Sequence, residues 1–571
     1  MPRCGTTTDK DVGAALRTAI DCLSRGTDIA GEDSGSHIQS HFHRRTTMLK
    51  RAQRVCCVLP VVLTAAVWLT GENRQGPRKI GLVLLEDKIR GGWAGQMIGV
   101  SYGAPTEFRS NGKIIEGKLP WTPERVTNSI KQDDLYVEMT FAETLDRLGL
   151  DATTEQLGEA FKDSQYSLWH ANAGARRLLN QGIKAPLSGH PKYNLHANDI
   201  DFQIEADFIG LMTPGLPQEA NKYCNRVGRV MNHGDGLYGG MFVCGMYSAA
   251  FFENDPRKVV EQGLVCMPAQ SSYARLIRDV LDWAAKNPAD WKKTWQLIQQ
   301  KWDRDDPCPD GALRPFNIDA RLNGAYIALG LLYGKGDFGR TLEVTTRAGQ
   351  DSDCNPSNAA GVLGTILGYS RIPEVWKSGI PAIADTKFDY TQSSFNDITR
   401  TTVERARKIV TKAGGSVSGA ELTIPYQEPS APALEQWDMG IPERTIDPLD
   451  AAWTWKGMWS EEHFWDGNGI SARKLSNEPG SEATLTFAGS AVALVGRRSQ
   501  DGGRADVYLD GEKAGEIDAH IVERTSDNDL WHAYELKPGK HTVRIVQRND
   551  ADPRSKGKKL TIEYAISFRQ R

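Results

Sequence analysis

The sequence predicts two architectures in succession, an all-α orthogonal helical bundle followed by an antiparallel β-sandwich, and three observations carry that expectation. Between Leu82 and about Tyr426, apolar residues recur at spacings of three and four, as in Leu135, Met139, Ala142 and Leu145 or Ala325, Ala328, Leu329 and Leu332. No βαβ alternation and no Gly-x-Gly-x-x-Gly interrupts them, which disfavours a nucleotide-binding α/β fold. Past a stretch carrying Pro425, Pro429, Pro432 and Pro442 the period changes to two.

A chain of 571 residues exceeds one domain. Apolar content of 40% and charged content of 25% suit a globular protein with an ample core. A net charge of −3 with no basic stripe gives no electrostatic reason to expect nucleic acid as a partner.

Residues 1–47 are polar and lack periodicity, and they read as a disordered upstream extension. Within 48–71, the basic run Met48-Leu-Lys-Arg-Ala-Gln-Arg54 precedes an apolar run from Val55 to Leu69. Its length of about 15 residues fits a secretory signal better than a membrane span of about 20. Met48 is therefore the expected start and the protein is expected to be secreted or periplasmic, with an uncleaved N-terminal membrane anchor as the alternative. Of nine cysteines, Cys224, Cys244, Cys266, Cys308 and Cys354 follow this segment. They show no disulfide-framework spacing and no Cys-x-x-Cys, so most are expected to be buried small apolar residues, with at most two disulfides.

The helical domain is expected over 80–426 and a Pro-rich connector over 427–449. The β-sandwich follows over 450–571, with alternating runs at 483–487, 491–495, 505–509, 541–546 and 560–568. Turn signals such as Asp510-Gly511 and Pro538-Gly539 separate them. Trp465, Trp531, His532 and Arg497-Arg498 could line a glycan site, although aromatics in a sandwich more often fill its core.

The most informative stretch of the helical part is Arg347-Ala-Gly-Gln-Asp-Ser-Asp-Cys-Asn-Pro-Ser-Asn-Ala-Ala-Gly361. Gly349 permits a turn, Asn355 suits an N-cap and Pro356 the first helical position, so Asp351 and Asp353 are expected in the loop feeding a helix. That helix carries Ala359, Ala360, Gly361, Gly364 and Gly368, small enough for another helix to approach closely. A second acidic pair, Asp133-Asp134, also precedes a helical run. Four carboxylates brought together repel unless a hard cation neutralises them, and oxygen ligands favour Mg²⁺, Mn²⁺ or Ca²⁺. The plainer alternative is that each Asp caps its own helix.

From about Leu85 to Trp376 the chain resembles the ADP-ribosylglycohydrolase family. The blocks that carry the likeness are Asp87–Gly99 with Gly103-Ala-Pro-Thr-Glu107, Gln132-Asp-Asp134, Asn232-His-Gly-Asp-Gly236, Cys266–Ser272 and Gly349-Gln-Asp-Ser-Asp-Cys354. The resemblance implies an all-α enzyme holding one or two Mg²⁺ ions between a Thr-Asp-Asp helix start and a late Asp-x-Asp-Thr loop. Here Asp133, Asp134, Asp351 and Asp353 match the metal ligands, Gln132 stands where the first Thr is usual and Cys354 where the second is. A Gln carbonyl still suits a hard cation and a thiol does not, so one ion is the simpler expectation.

The resemblance also implies that Glu107 gates or positions substrate, that a metal-activated water attacks an anomeric carbon, and that Asp134 or Asp353 takes the proton. His233, Gly234 and Asp235 are expected to touch substrate from a Gly-rich turn. The acidic run Asp199–Asp207 reads as a solvated or packing face, and Trp169 as a core residue beside His170 and Asn172. The implied activity is hydrolysis of the C1 glycosidic bond of ADP-ribose or a ribose-like sugar. Two alternatives stand beside it: a glycoside hydrolase acting on an extracellular polysaccharide through the same cleft, and a catalytically silent glycan-binding protein. The tail resembles galactose-binding-like and carbohydrate-binding jelly-roll modules through Val507-Tyr-Leu-Asp-Gly511 and Leu536–Val543.

Overall fold

The computed structural model describes residues 76–303, 306–435, 437–465, 470–522 and 529–571, so the upstream extension and the signal or anchor segment lie outside the described residues. Helices fill the chain from Leu82 to Lys412 and antiparallel strands dominate from Ile441 to Arg569, as the two periodicities predict. Among the described residues no helix is long and apolar enough to cross a membrane.

Two helices organise the first part. Leu82–Gly103 and Cys354–Leu367 run antiparallel at close range because glycines recur every fourth residue along the first. A Cβ on Gly91, Gly95, Gly99 or Gly103 would meet Gly364 O, Ala360 O, Pro356 O or Ser352 O at 2.2, 2.1, 2.2 and 1.9 Å. The ladder of contacts climbs one helix as it descends the other, since residues four apart share a helix face. The surrounding helices are capped by ordinary means: Asp319, Asp337 and Ser394 each accept a hydrogen bond from an N–H of the first turn that follows.

The helical domain also closes on a small sheet that periodicity did not predict. Arg78–Gly81 pairs with Glu421–Ile424, which pairs with Ser416–Ser418, so the beginning and end of the domain are sewn together with Ile80 opposite Leu422.

The second part is a sandwich of two antiparallel sheets. One runs Glu512–Asp518, Arg504–Leu509, Gly539–Gln547, Glu482–Gly489, Trp453–Lys456, and the other Asp529–Ala533, Ala491–Arg497, Leu560–Arg569, Ile470–Ser476, Ser460–Trp465. Their facing sides enclose Leu485, Phe487, Val492, Leu494, Val507, Val543, Ile545 and Ile562. The strand Ile441–Ile446 pairs with Leu560–Arg569 and lies inside the stretch expected to be connector, where its Pro442 masked the alternation.

Alternation along Ala491–Arg497 explains how the two parts meet. Val492 and Leu494 point into the sandwich, while Ala491, Ala493 and Val495 join Ile566, Phe568, Trp437 and Met439 against Leu195, Ala197 and Ala312 of the helical domain. A buried ion pair, Arg177 Nη2 to Asp529 Oδ1 at 2.8 Å, and His532 Nε2 at 2.5 Å from Pro191 O complete the seam. His532 therefore fills an interface, whereas Trp465 is exposed at a strand end. Arg497 pairs with Glu563 and Arg498 donates to backbone oxygens of Asp518 and Asp529. The five cysteines are buried and free, with Cys224 and Cys244 Sγ 2.9 Å apart.

Candidate active site

The Asp-Ser-Asp loop sits where the glycine ladder ends. The helix begins at Cys354 with Asp353 at its N-cap, two residues earlier than Asn355 and Pro356 suggest. Asn355 instead reaches Asn323 Oδ1 at 2.8 Å, so tertiary hydrogen bonding takes the side chain that local propensity assigned to a cap. Gly349 and Gln350 both take positive φ, 85° and 56°, to make the turn. For Gln350 that conformation is held by bonds on either side of its amide, Asn317 N to Oε1 at 2.9 Å and Nε2 to Pro315 O at 2.8 Å.

Opposite lies the start of the helix Asp133–Leu148, whose N-cap is Gln132. Ligand atoms of Asp133, Asp134 and Cys354 lie within 4.8 Å of one another, and so do those of Asp351, Asp353 and Cys354. The two acidic pairs thus meet at one residue. Cys354 Sγ lies 3.3 Å from Asp134 Oδ2, and the Cys354 N–H donates to Asp351 Oδ1 at 3.4 Å.

Burial pushes all four carboxyls up. Asp351 rises to about 8, Asp353 and Asp134 rise well above the usual range, and the charges of Asp133, Asp351 and Asp353 add to the effect. For Asp133 too desolvation is the main cause, and backbone N–H groups at the helix start oppose it. Asp134 Oδ1 is buried and has no hydrogen-bond partner among the described residues. Clustered acids short of donors fit a divalent cation better than they fit helix capping alone. Gln132 flanks this set at the N-cap with no side-chain capping bond.

Glu107 is the exposed carboxylate beside this set. Thr106 Oγ1 meets Ser352 Oγ at 2.8 Å and Phe108 N donates to Gln350 O at 3.1 Å, so the segment is laced to the Asp loop. Solvent reaches Glu107, yet surrounding protein, then the charges of Asp353 and Asp133, push its carboxyl up to about 8.

The run Asp199–Asp207 is not a solvated face. Asp199, Asp201, Glu205 and Asp207 are buried within the helical domain, each tied to donors. Asp201 accepts from Ala171 and Asn172 N–H at 3.2 and 3.0 Å, Asn172 reaches Glu205, and Asp207 binds Asn358 at 2.6 Å and the hydroxyl of Tyr247. Glu138, one helical turn beyond Asp134, accepts from Phe208 N at 2.9 Å. The i, i+4 spacing of Asp201 and Glu205 was the available signal for a shared face. Trp169, expected in the core, is 44% exposed, and His170 after it takes a positive φ of 46°.

His233, Gly234 and Asp235 form a tight turn whose contacts run elsewhere. His233 N donates to Ala197 O at 3.0 Å, its ring lies 3.3 Å from Glu435, and burial pushes its pKa down to about 4. Gly234, at φ 53°, faces Trp437, and Asp235 accepts from Tyr273 N at 3.1 Å. With Arg321, Arg275, Trp437 and Arg571, Gly234 and Asp235 line a polar cleft between the helical domain and the segment that leads into the sandwich.

Fold and site together define a class, a helical domain that presents a cluster of four carboxylates, joined to a β-sandwich. The chain belongs to the ADP-ribosylglycohydrolase family, whose model matches residues 83–408. Among curated proteins it is similar to an A type blood N-acetyl-alpha-D-galactosamine deacetylase of Flavonifractor plautii, 32% identical over 142 residues, covering 24% of this chain and 17% of that protein. It is also similar to an A type blood alpha-D-galactosamine galactosaminidase of the same organism, 38% identical over 105 residues, covering 18% of this chain and 9% of that protein. The chain thus spans less than a fifth of either relative. Among solved structures it is similar to an ADP-ribosylglycohydrolase-related protein complex at 14% identity and a TM-score of 0.39, covering 57% of this chain and 98% of that one.

Proposed function

We propose that the chain is an exported, Mg²⁺-dependent hydrolase that cleaves the C1 glycosidic bond of ADP-ribose or a ribose-like sugar. The observation that carries this reading is the meeting of Asp133, Asp134, Asp351 and Asp353 round Cys354, with Glu107 exposed beside them. Those four carboxylates, with Gln132 beside them, would hold the cation, and Mn²⁺ or Ca²⁺ would satisfy the same oxygens. A hard cation bound there supplies Lewis-acid activation of water and a fixed anchor for sugar hydroxyls.

The chain's own residues do the rest. Glu107, tethered through Thr106 to Ser352, orients the sugar. Asp134 or Asp353 holds the proton released as water adds, and the apolar packing of Cys354 with Ile200, Ile204 and Ile318 keeps bulk water from the rear of the site. Export rests on the basic-then-apolar segment 48–71.

A second reading is favoured by the names of the curated relatives, both of which act on galactosamine sugars, and by the β-sandwich. In it the same cleft hydrolyses an extracellular glycan. One assay separates the two: release of ADP-ribose from arginine- and serine-linked ADP-ribosyl peptides, with Mg²⁺ and with a chelator. Chelator-sensitive release supports the first reading. Mg²⁺ binding without release moves the substrate to glycans, and parent protein that neither binds Mg²⁺ nor turns over either substrate leaves the silent binding protein.

A further inference from the structure

A second group of metal-ligand side chains lies apart from the four aspartates. His170, His196, Asp199 and Cys308 come from three separate places: a helix start, the turn before Asp201, and the loop 306–318. One donor atom from each lies within 4.8 Å of all the others. The individual separations are 2.8 Å from His196 Nδ1 to Asp199 Oδ2 and 3.7 Å from His170 Nδ1 to the same oxygen. Cys308 Sγ stands 3.5 Å from His196 Nδ1 and 4.0 Å from His170 Nδ1. A tetrahedral zinc ion with Zn–N and Zn–O near 2.0–2.1 Å and Zn–S near 2.3 Å spaces its ligand atoms at about 3.3–3.6 Å. The observed edges bracket that value.

The orientation of the rings speaks against a nucleophile–imidazole–carboxylate relay. Such a relay uses the two nitrogens of one ring in opposite directions. Here Nδ1 of His196 faces the carboxylate and the thiol together, and Nδ1 of a second imidazole points to the same place. The donor set also selects its cation: imidazole and thiolate suit zinc, whereas Mg²⁺ and Ca²⁺ take oxygen. Two neutral imidazoles, one carboxylate and one thiolate balance a dication, which matters because Asp199 and Cys308 are completely buried and Asp199 Oδ1 has no hydrogen-bond partner among the described residues.

Backbone strain marks the same spot, since His170 holds φ 46°. Around the group the loop is already fixed, with Asp306 accepting from Cys308 N at 2.9 Å and Ile318 N at 3.1 Å.

We propose that His170, His196, Asp199 and Cys308 form a structural zinc site that fastens the loop 306–318 to the helix start at His170 and the turn at His196–Asp199. The loop so fastened supplies Pro315 O and Asn317 N, which hold Gln350 in its left-handed conformation one residue before Asp351. Zinc thus positions the Asp-Ser-Asp loop without touching substrate. The site stands on its own donors, whatever ion the four aspartates hold.

The test is metal content and metal spectroscopy on the full chain, purified without added metal or chelator. About one zinc per chain is expected. Zinc-edge X-ray absorption is expected to report one sulfur and three nitrogen or oxygen neighbours. Exchange for Co²⁺ should give a thiolate-to-cobalt charge-transfer band that Cys308→Ser abolishes, while Asp351→Asn with Asp353→Asn leaves zinc and band unchanged. Parent protein without zinc and without a cobalt–thiolate band after loading would overturn the proposal, as would a zinc shell lacking sulfur. If Cys308→Ser does not fold, the absorption spectrum of the parent decides alone.

Discussion

Replacing Gly103 by alanine should weaken cation binding although it alters no ligand. The new Cβ would lie 1.9 Å from Ser352 O and 2.4 Å from Asp353 Cα, short by about 1.5 Å of the 3.4 Å at which ordinary contact begins. Both obstacles are backbone, so no rotamer can relieve them and the loop must move away from Leu82–Gly103. Overpacking of this kind costs about 1–3 kcal/mol, a fraction of a typical folding free energy of about 5–15 kcal/mol, so the variant stays folded. A shift of about 1 Å in Asp353 relative to Asp133 and Asp134 is large for Mg²⁺, which demands near-octahedral geometry at about 2.0–2.1 Å. An affinity loss of about 10–100-fold follows, the usual effect of disturbing the support of a metal ligand. Mg²⁺ titration calorimetry together with urea denaturation reads both quantities. Gly81→Ala is the control, because its Cβ meets only Ala420 O at 3.9 Å. If Gly103→Ala keeps the parent Mg²⁺ affinity and the parent urea midpoint, the glycine ladder does not set the site.

Three further outcomes are expected. Asp134→Asn removes a carboxyl whose pKa is held up first by burial and then by the charges of Asp133 and Asp353, so in chelator the variant should melt higher than the parent, by about 2–4 °C per kcal/mol, while its Mg²⁺ binding falls; a lower melting point would contradict the argument from burial and charge. Cys354→Ser replaces a soft sulfur 3.3 Å from Asp134 with a hard hydroxyl and should tighten Mg²⁺ binding roughly 3–10-fold by calorimetry, with weaker binding counting against Cys354 as a neighbour of the ion. His532 has its pKa pushed down from 6.5 to about 4, chiefly by burial, so the neutral ring is the form that the fold stabilises. That stability is complete above pH 6.5 and is lost as pH falls towards 4, by about 3 kcal/mol at about 1.4 kcal/mol per unit. Urea midpoints measured from pH 7 to pH 4 should show the decline in the parent and a flatter profile in His532→Gln, and a flat parent profile would refute it.

Much of the fold was legible because each half repeats a period. Leu135, Met139, Ala142 and Leu145 fall on the buried face of Asp133–Leu148, and the runs at 483–487, 491–495, 505–509, 541–546 and 560–568 lie within strands. Strands with little apolar alternation were missed: Trp453–Lys456 is only four residues long, Ser460–Trp465 and Ile470–Ser476 are interrupted by charged residues, and Ile441–Ile446 carries a proline. The small residues of Cys354–Leu367 announced a close neighbour, but not that Gly91, Gly95, Gly99 and Gly103 would face them rung by rung.

The aspartates could be read from the chain because each pair is local, two residues at one helix start, and local chemistry needs no partner to be recognised. That both pairs share Cys354, and that Glu107 is bound to the same loop through Thr106 and Ser352, depends on contacts across more than 200 residues. The same holds for His170, His196, Asp199 and Cys308, whose spacing along the chain resembles no ligand motif and whose donor atoms meet only after three segments pack together. Period and capping are properties of neighbours in sequence. Convergence of charge in a buried centre is a property of packing, and the helix crossings built on glycine contacts decided it.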